Sequence, residues 1–268
     1  MLWLFAVACN DYAIENANDI DGGDSGGWTS DSHPVAVCSV SPNPVAPPFE
    51  SAAFDGRASY DPNDLSLDKF EWELMSSPPG SAVSLPEGTD VLEGFAPDLA
   101  GDYVVSLVVT NSDALRSQPC EVTLTAQPSE DLWIELYWAI EGDDLDLHLL
   151  RPGGVVETDD DCFYHNCRDG LLDWGNKGDL DDNPQLDLDD IYGNGPENIN
   201  LSSPEKGAYT VVVHDYPTSI VKEDNDATVN VYIDGVLQWS KTRPMTGEGE
   251  YVSFASIDWT TGEVSDAE

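Results

Sequence analysis

The chain has 268 residues, with 52 acidic side chains against 10 basic ones and a formal net charge of −42. So negative a surface repels phosphate backbones and anionic headgroups, which excludes nucleic acid as a partner and leaves cations and basic surfaces as attractive ones. Hydrophobic residues make up 40% of the chain, enough for one large core or two ordinary ones, and no apolar run approaches the roughly 20 residues of a membrane span.

Residues 1–8 are an apolar run ending at Cys9. Val7-Ala8 before a cysteine resembles the lipobox of bacterial lipoproteins. The resemblance implies a signal peptide over 1–8, a lipidated Cys9 as mature N-terminus, and a membrane anchor in the cell envelope, with the outer membrane the preferred address. Ala6 replaces the preferred Leu and no basic residue precedes the run, so translation is expected to start upstream. Residues 9–33, rich in Asp, Asn, Gly and Ser, read as an acidic tether.

Setting Cys9 aside leaves four cysteines, which can pair completely in an oxidising compartment. Cys38 and Cys120 stand at the ends of one expected domain. Cys162 and Cys167 flank Phe163-Tyr-His-Asn166. Two readings of that second pair stand: a disulfide, or metal ligation together with His165. No second Cys/His pair completes a zinc site, which favours the disulfide.

From residue 34 the chain becomes short β-rich runs punctuated by Pro, Gly, Asn and Asp, with no sustained helical period. Strands are expected over Ala36–Val40, Ala52–Phe54, Lys69–Met75, Ala82–Leu85, Val91–Phe95, Asp102–Asn111 and Cys120–Ala126. Seven short strands predict an immunoglobulin-like sandwich over 34–127. Asp61-Pro-Asn63, Phe70-x-Trp72 and Ala100-Gly-x-Tyr103 with alternating Val105, Leu107 and Val109 resemble a PKD domain, a sandwich module of extracellular proteins. The resemblance implies Trp72 as the core aromatic of a central strand and Tyr103 as a tyrosine-corner residue.

Beyond Gln127 further strands are expected over Leu132–Ile140, Leu145–Leu150, Ile199–Leu201, Tyr209–Tyr216, Thr228–Ile233, Val236–Thr242 and Tyr251–Ile257, with a two-residue turn at Asp234-Gly235. The expectation is an all-β chain whose second antiparallel sandwich, 128–268, is jelly-roll-like and carries a long loop insertion at 151–197. A loop of that length must be held by something, and both the Cys162–Cys167 staple and a bound metal qualify.

Chemistry concentrates around that insertion. Asp144-Leu-Asp146-Leu-His148-Leu alternates strictly, so a strand sends Leu145, Leu147 and Leu149 to the core and Asp144, Asp146 and His148 to the other face. Segment 141–197 holds 17 acidic residues against 3 basic. Carboxylates so crowded repel one another unless a cation bridges them or the loops splay them into water. Calcium fits a set of oxygen ligands from separate loops, and Asp144, Asp146, Asp187, Asp189 and Glu197 are the candidate ligands. The Asp144–Gly154 run, the Asp173-Trp-Gly175 loop, the Gly195-Pro-Glu-Asn198 element and Gly207–Tyr216 resemble a β-sandwich domain of bacterial envelope proteins, several of them myxobacterial lipoproteins. That family implies an address and a fold rather than a reaction.

No HExxH or phosphate loop is present, and there are four histidines. The expected function is therefore a non-catalytic envelope lipoprotein presenting an interaction, adhesion or structural surface to an unidentified protein or glycan, stabilised by calcium. The alternatives are a carbohydrate-binding protein, with Trp133, Trp138, Trp174 and Trp239 as stacking platforms, and a glycan hydrolase built on paired carboxylates. Trp174 is the preferred ligand contact. Trp133 and Trp138 are an odd number apart in one strand, so one of them is expected in the core and the other outside it.

Overall fold

Alternation of β-branched and aromatic residues with polar ones, cut by turn residues, leaves the backbone little choice but sheet. The computed structural model describes residues 32–168, 170–217 and 221–267, and among them it has sixteen strands and no helix. The lipid-site candidate Cys9 and all but the last two residues of the expected tether lie outside the described residues. All strand pairings are antiparallel, in four sheets that form two sandwiches.

The first sandwich sets β1 (Ser39–Ser41), β2 (Ala52–Asp55) and β4 (Val91–Phe95) against β3 (Leu67–Ser76), β5 (Gly101–Asn111) and β6 (Cys120–Ala126), in the orders β1-β2-β4 and β3-β5-β6. Its core packs Phe54, Phe95 and Tyr103 edge to face, with ring centroids 5.4 and 5.5 Å apart, together with Val105 and Leu124. The Tyr103 hydroxyl accepts from the Leu99 N–H at 3.1 Å and lies 2.9 Å from both the Leu99 carbonyl and Asp98 Oδ1, which ties the loop before β5 to the strand itself.

Two expectations here need correction. Ala82–Leu85 is not a strand: Val83 and Leu85 pack against the core and the Ala82 N–H is donated to Asp98 rather than to a neighbouring strand. Trp72 is not on a central strand, because β5 takes the middle of its sheet and β3 the edge. Trp72 is accordingly half-buried, packing on the core while its ring N–H donates to the Thr89 carbonyl at 2.8 Å.

Cys38 pairs with Cys120, joining the entry of β1 in one sheet to the start of β6 in the other. The bridge spans 82 residues. In the chain-entropy model, closing a loop of that size contributes about 4–5 kcal/mol through the unfolded state.

The second sandwich has two five-stranded sheets. One orders β10 (Gln185–Leu188), β11 (Glu197–Leu201), β7 (Leu132–Trp138), β13 (Asn225–Ile233) and β14 (Val236–Met245). The other orders β16 (Glu263–Asp266), β15 (Tyr251–Asp258), β12 (Ala208–Asp215), β8 (Leu145–Leu150) and β9 (Asp161–Cys162). Between them lie Leu132, Ile134, Leu136 and Trp138 of β7 facing Leu145, Leu147 and Leu149 of β8. The β13–β14 turn has Asp234 and Gly235 both at positive φ, 50° and 70°, as a type I′ hairpin requires.

Trp133 and Trp138 do face opposite sides of β7, yet both are buried, each 1% exposed. The reason is the first sandwich. Trp133 packs with Ala100 and Tyr232, a small second core between the sandwiches. At its centre Glu135, wholly buried, accepts from the Ala100 N–H at 2.6 Å and the Trp133 ring N–H at 2.9 Å. Nearby, Gly80 lies against the Tyr137 ring at φ +87°; a β-carbon there would come within 2.2 Å of that ring. Residues from Ser32 onward accordingly form one compact unit.

Burial pushes the Glu135 carboxyl up to about 7, against the opposing pull of its hydrogen-bond donors. An acid whose pKa is raised on folding holds a proton that the unfolded chain releases. Its contribution is therefore full below the unfolded value of about 4.3 and is lost as pH rises through the folded one. The melting temperature of Glu135→Gln, which keeps an acceptor and loses the charge, should gain on wild type between pH 5 and 8. A difference that stays constant over that range would show that Glu135 is ionised throughout.

Candidate functional site

β9 is only two residues long and pairs with Leu149 and Leu150, which leaves the first half of β8 without a strand on that side. The side chain of Glu197, at the start of β11 in the opposite sheet, fills the place: its Oε2 accepts the Leu147 N–H at 2.7 Å. Glu197 is 1% exposed, and its other oxygen, Oε1, has no hydrogen-bond partner.

Asp146 and Asp189 meet Glu197 there. Asp146 points outward from β8, as its parity requires, and Asp189 follows directly after β10. One oxygen from each of the three lies within 4.8 Å of the others. Asp146 Oδ2 is buried without a hydrogen bond, with His214 Nδ1 3.5 Å from it. Asp189 pairs with the Arg168 guanidinium. Asp144, just before β8, lines the cavity that opens over this point, about 240 Å³ in volume, together with Asp146, Tyr164, Asp189, Ile191 and Tyr216.

The electrostatics register the crowding. Burial first and the Asp146 charge second push the Glu197 carboxyl well above the usual carboxylate range. The same two causes, in the same order, with Asp189 third, push Asp144 up to about 7. Asp189 is raised by burial against the lowering effect of Arg168. Such a group holds protons, or a cation, in preference to bare negative charge.

Of the five candidate ligands, the structure thus brings Asp146, Asp189 and Glu197 together and sets Asp144 beside them. Asp187 goes elsewhere. A bulge between Leu186 and Leu188 shifts the register of β10, and Asp187 accepts from the Asn200 amide at 2.7 Å, with Glu130 as its charged neighbour. Asp187 and Asp189 stand in one acidic run, and the bulge in β10 separates their surroundings. Asp190, two residues from β10, is structural: its carboxylate accepts the N–H groups of Gly193 and Gly195 and shapes the turn that delivers Glu197.

The outer face of β8, expected to be polar, is roofed by rings. His148 stacks on Phe163 at 5.1 Å and holds Asp161 through Nδ1 at 2.7 Å; His214 stacks on Tyr251 at 4.0 Å. Tyr164 and Tyr216 stand edge to face, 5.8 Å apart, at the cavity wall. Sequence reading missed these two tyrosines and His214. The pairing of His214 with Asp146 across β12 and β8 is non-local and leaves no mark in either segment.

Cys162 and Cys167 are disulfide-bonded, so the metal reading that used them with His165 is set aside. The ligand-contact expectation at Trp174 is corrected as well. Trp174 is 3% exposed inside the main core, its ring N–H donating to the Asp159 carbonyl at 2.8 Å and its backbone N–H to Asn183 at 2.6 Å. It plugs the 151–197 loop, with Leu172 and Leu186 beside it. Trp239 is half-buried against the same core, its ring N–H on Asp266.

No family model, curated protein or solved structure matches the chain, so the likenesses to PKD and envelope-lipoprotein domains rest on the residues that carry them.

If Trp174 is a plug, Trp174→Ala leaves a buried void and should cost about 3–5 kcal/mol in denaturant unfolding. A cost within about 0.5 kcal/mol, the range of surface substitutions, would return Trp174 to the solvent-facing role.

Proposed function

We propose that this protein is a non-catalytic cell-envelope lipoprotein whose second sandwich is an interaction module stiffened by calcium. The observation that carries the reading is the convergence of Asp146, Asp189 and Glu197, with one buried oxygen on each of Asp146 and Glu197 lacking a hydrogen bond. Two oxygens bound to one calcium at about 2.3–2.6 Å lie at most about 5.2 Å apart, and the three carboxylates fit within that span. An all-oxygen set drawn from separate segments suits calcium better than magnesium, which demands octahedral geometry and parts reluctantly with water. The carboxylates aim at one point; a glycosidase pair instead flanks a gap of about 5–9 Å that admits substrate and water.

Two disulfides support an oxidising compartment, and the lipobox-like Val7-Ala-Cys9 supports a membrane anchor within it. Metabolic labelling with a clickable fatty acid should mark the wild type and leave Cys9→Ser unmarked. Equal labelling of the variant would remove the anchor.

Calcium should raise the melting temperature of the full chain, and a chelator should reverse the rise. At a hundredfold excess over the dissociation constant the stabilisation is about 2.7 kcal/mol. Asp146→Asn and Glu197→Gln should lose most of this response. With chelator present, Glu197→Gln should melt no lower than wild type, because Gln keeps an acceptor for the Leu147 N–H and removes a carboxyl whose ionised form burial and Asp146 oppose. A flat calcium titration of the wild type would leave these residues as a proton-sharing cluster.

A further inference from the structure

We propose that the ion at this site also recognises ligand: it takes two vicinal hydroxyls of a neutral sugar while the sugar ring lies against Tyr164 and Tyr216. This rests on the calcium reading above and names what that site binds.

Asp146, Asp189 and Glu197 offer one converging oxygen each, with Asp144 adjacent. Calcium takes about six to eight oxygens, so at least two positions are left for other donors. Glu197 closes the floor, since its second oxygen is committed to the Leu147 N–H and it is wholly buried. The open positions therefore face the cavity.

At about 30 Å³ per water, the cavity holds roughly eight waters, more than the free coordination positions use. Beyond the carboxylates its walls are Tyr164, Tyr216 and Ile191, rings and an aliphatic side chain that an ion alone has no use for. An amphipathic ligand with oxygen atoms on one edge and C–H groups on a face matches this combination.

Four carboxylates against one divalent ion and the Arg168 guanidinium leave the occupied site net negative, within a chain of net charge −42. Anionic donors such as uronates or phosphates are repelled; a neutral diol supplies two oxygens at no charge cost. Vicinal hydroxyls are spaced to chelate one ion, as adjacent water ligands are.

The test uses the full-length chain and calorimetric titration with methyl α-mannopyranoside and methyl α-galactopyranoside, each with saturating calcium and with chelator. Their 3-deoxy analogues lack the hydroxyl common to both vicinal pairs. The proposal expects one or both glycosides to bind in calcium, to lose binding in chelator, and to lose at least tenfold as the 3-deoxy form. Tyr216→Ala should weaken binding about tenfold and Tyr216→Phe, which keeps the ring, should restore it. If calcium raises the melting temperature but neither glycoside binds, the sugar proposal falls and the cation site stands. If calcium itself has no effect, both fall. Glycoside binding that survives chelator, or that ignores the 3-deoxy change, would also overturn the proposal, because the sugar would not be held by the ion.

Discussion

The second sandwich depends on a single electrostatic constraint: three carboxylates from separate segments must share one small volume. Asp146 belongs to one sheet, Glu197 to the other, and Asp189 to the loop that joins β10 to β11. Hydrogen bonding answers part of the demand, through Leu147 and Arg168. The remainder, buried oxygens of Asp146 and Glu197, needs a proton or a cation. Whatever neutralises this point also fastens one sheet to the other where β9 stops short and leaves β8 unpaired.

The surroundings serve that constraint. Stacked rings, His148 on Phe163 and His214 on Tyr251, cover the face of β8 beside the cavity, and the burial they bring strengthens charge interactions there. The disulfide between Cys162 and Cys167 and the Trp174 plug hold the 151–197 insertion in place, so that Tyr164 and Asp189 arrive at one cavity. On the far side of the sandwich, Glu135 and Trp133 are covered by the first domain. A buried carboxylate at a junction is an expensive contact that tolerates little misalignment, and it fixes the two sandwiches in one arrangement.

Much of the fold was legible in the chain because it is local. Alternation located β4, β6 and β8 to the residue, Asp234-Gly235 announced its hairpin, and the even cysteine count after Cys9 agreed with the two bridges found. The very short β9, the bulged β10 and the terminal β16 escaped, since each is too short or too irregular to show a period. The acidic site was half legible. Composition and parity singled out Asp146, and the Gly195-Pro-Glu-Asn198 element singled out Glu197. A one-residue bulge removed Asp187, and the aromatic wall depends on pairings between distant strands. Trp133 shows the same limit: its parity was readable, but its burial depends on a neighbouring domain that parity does not know about.

A crystal structure grown with calcium addresses the central claim most directly. The account predicts one anomalous peak about 2.3–2.6 Å from oxygens of Asp146, Asp189 and Glu197, with further ligands on the side of Tyr164 and Tyr216. Carboxylates found hydrogen-bonded to one another, with no peak between them, would contradict it.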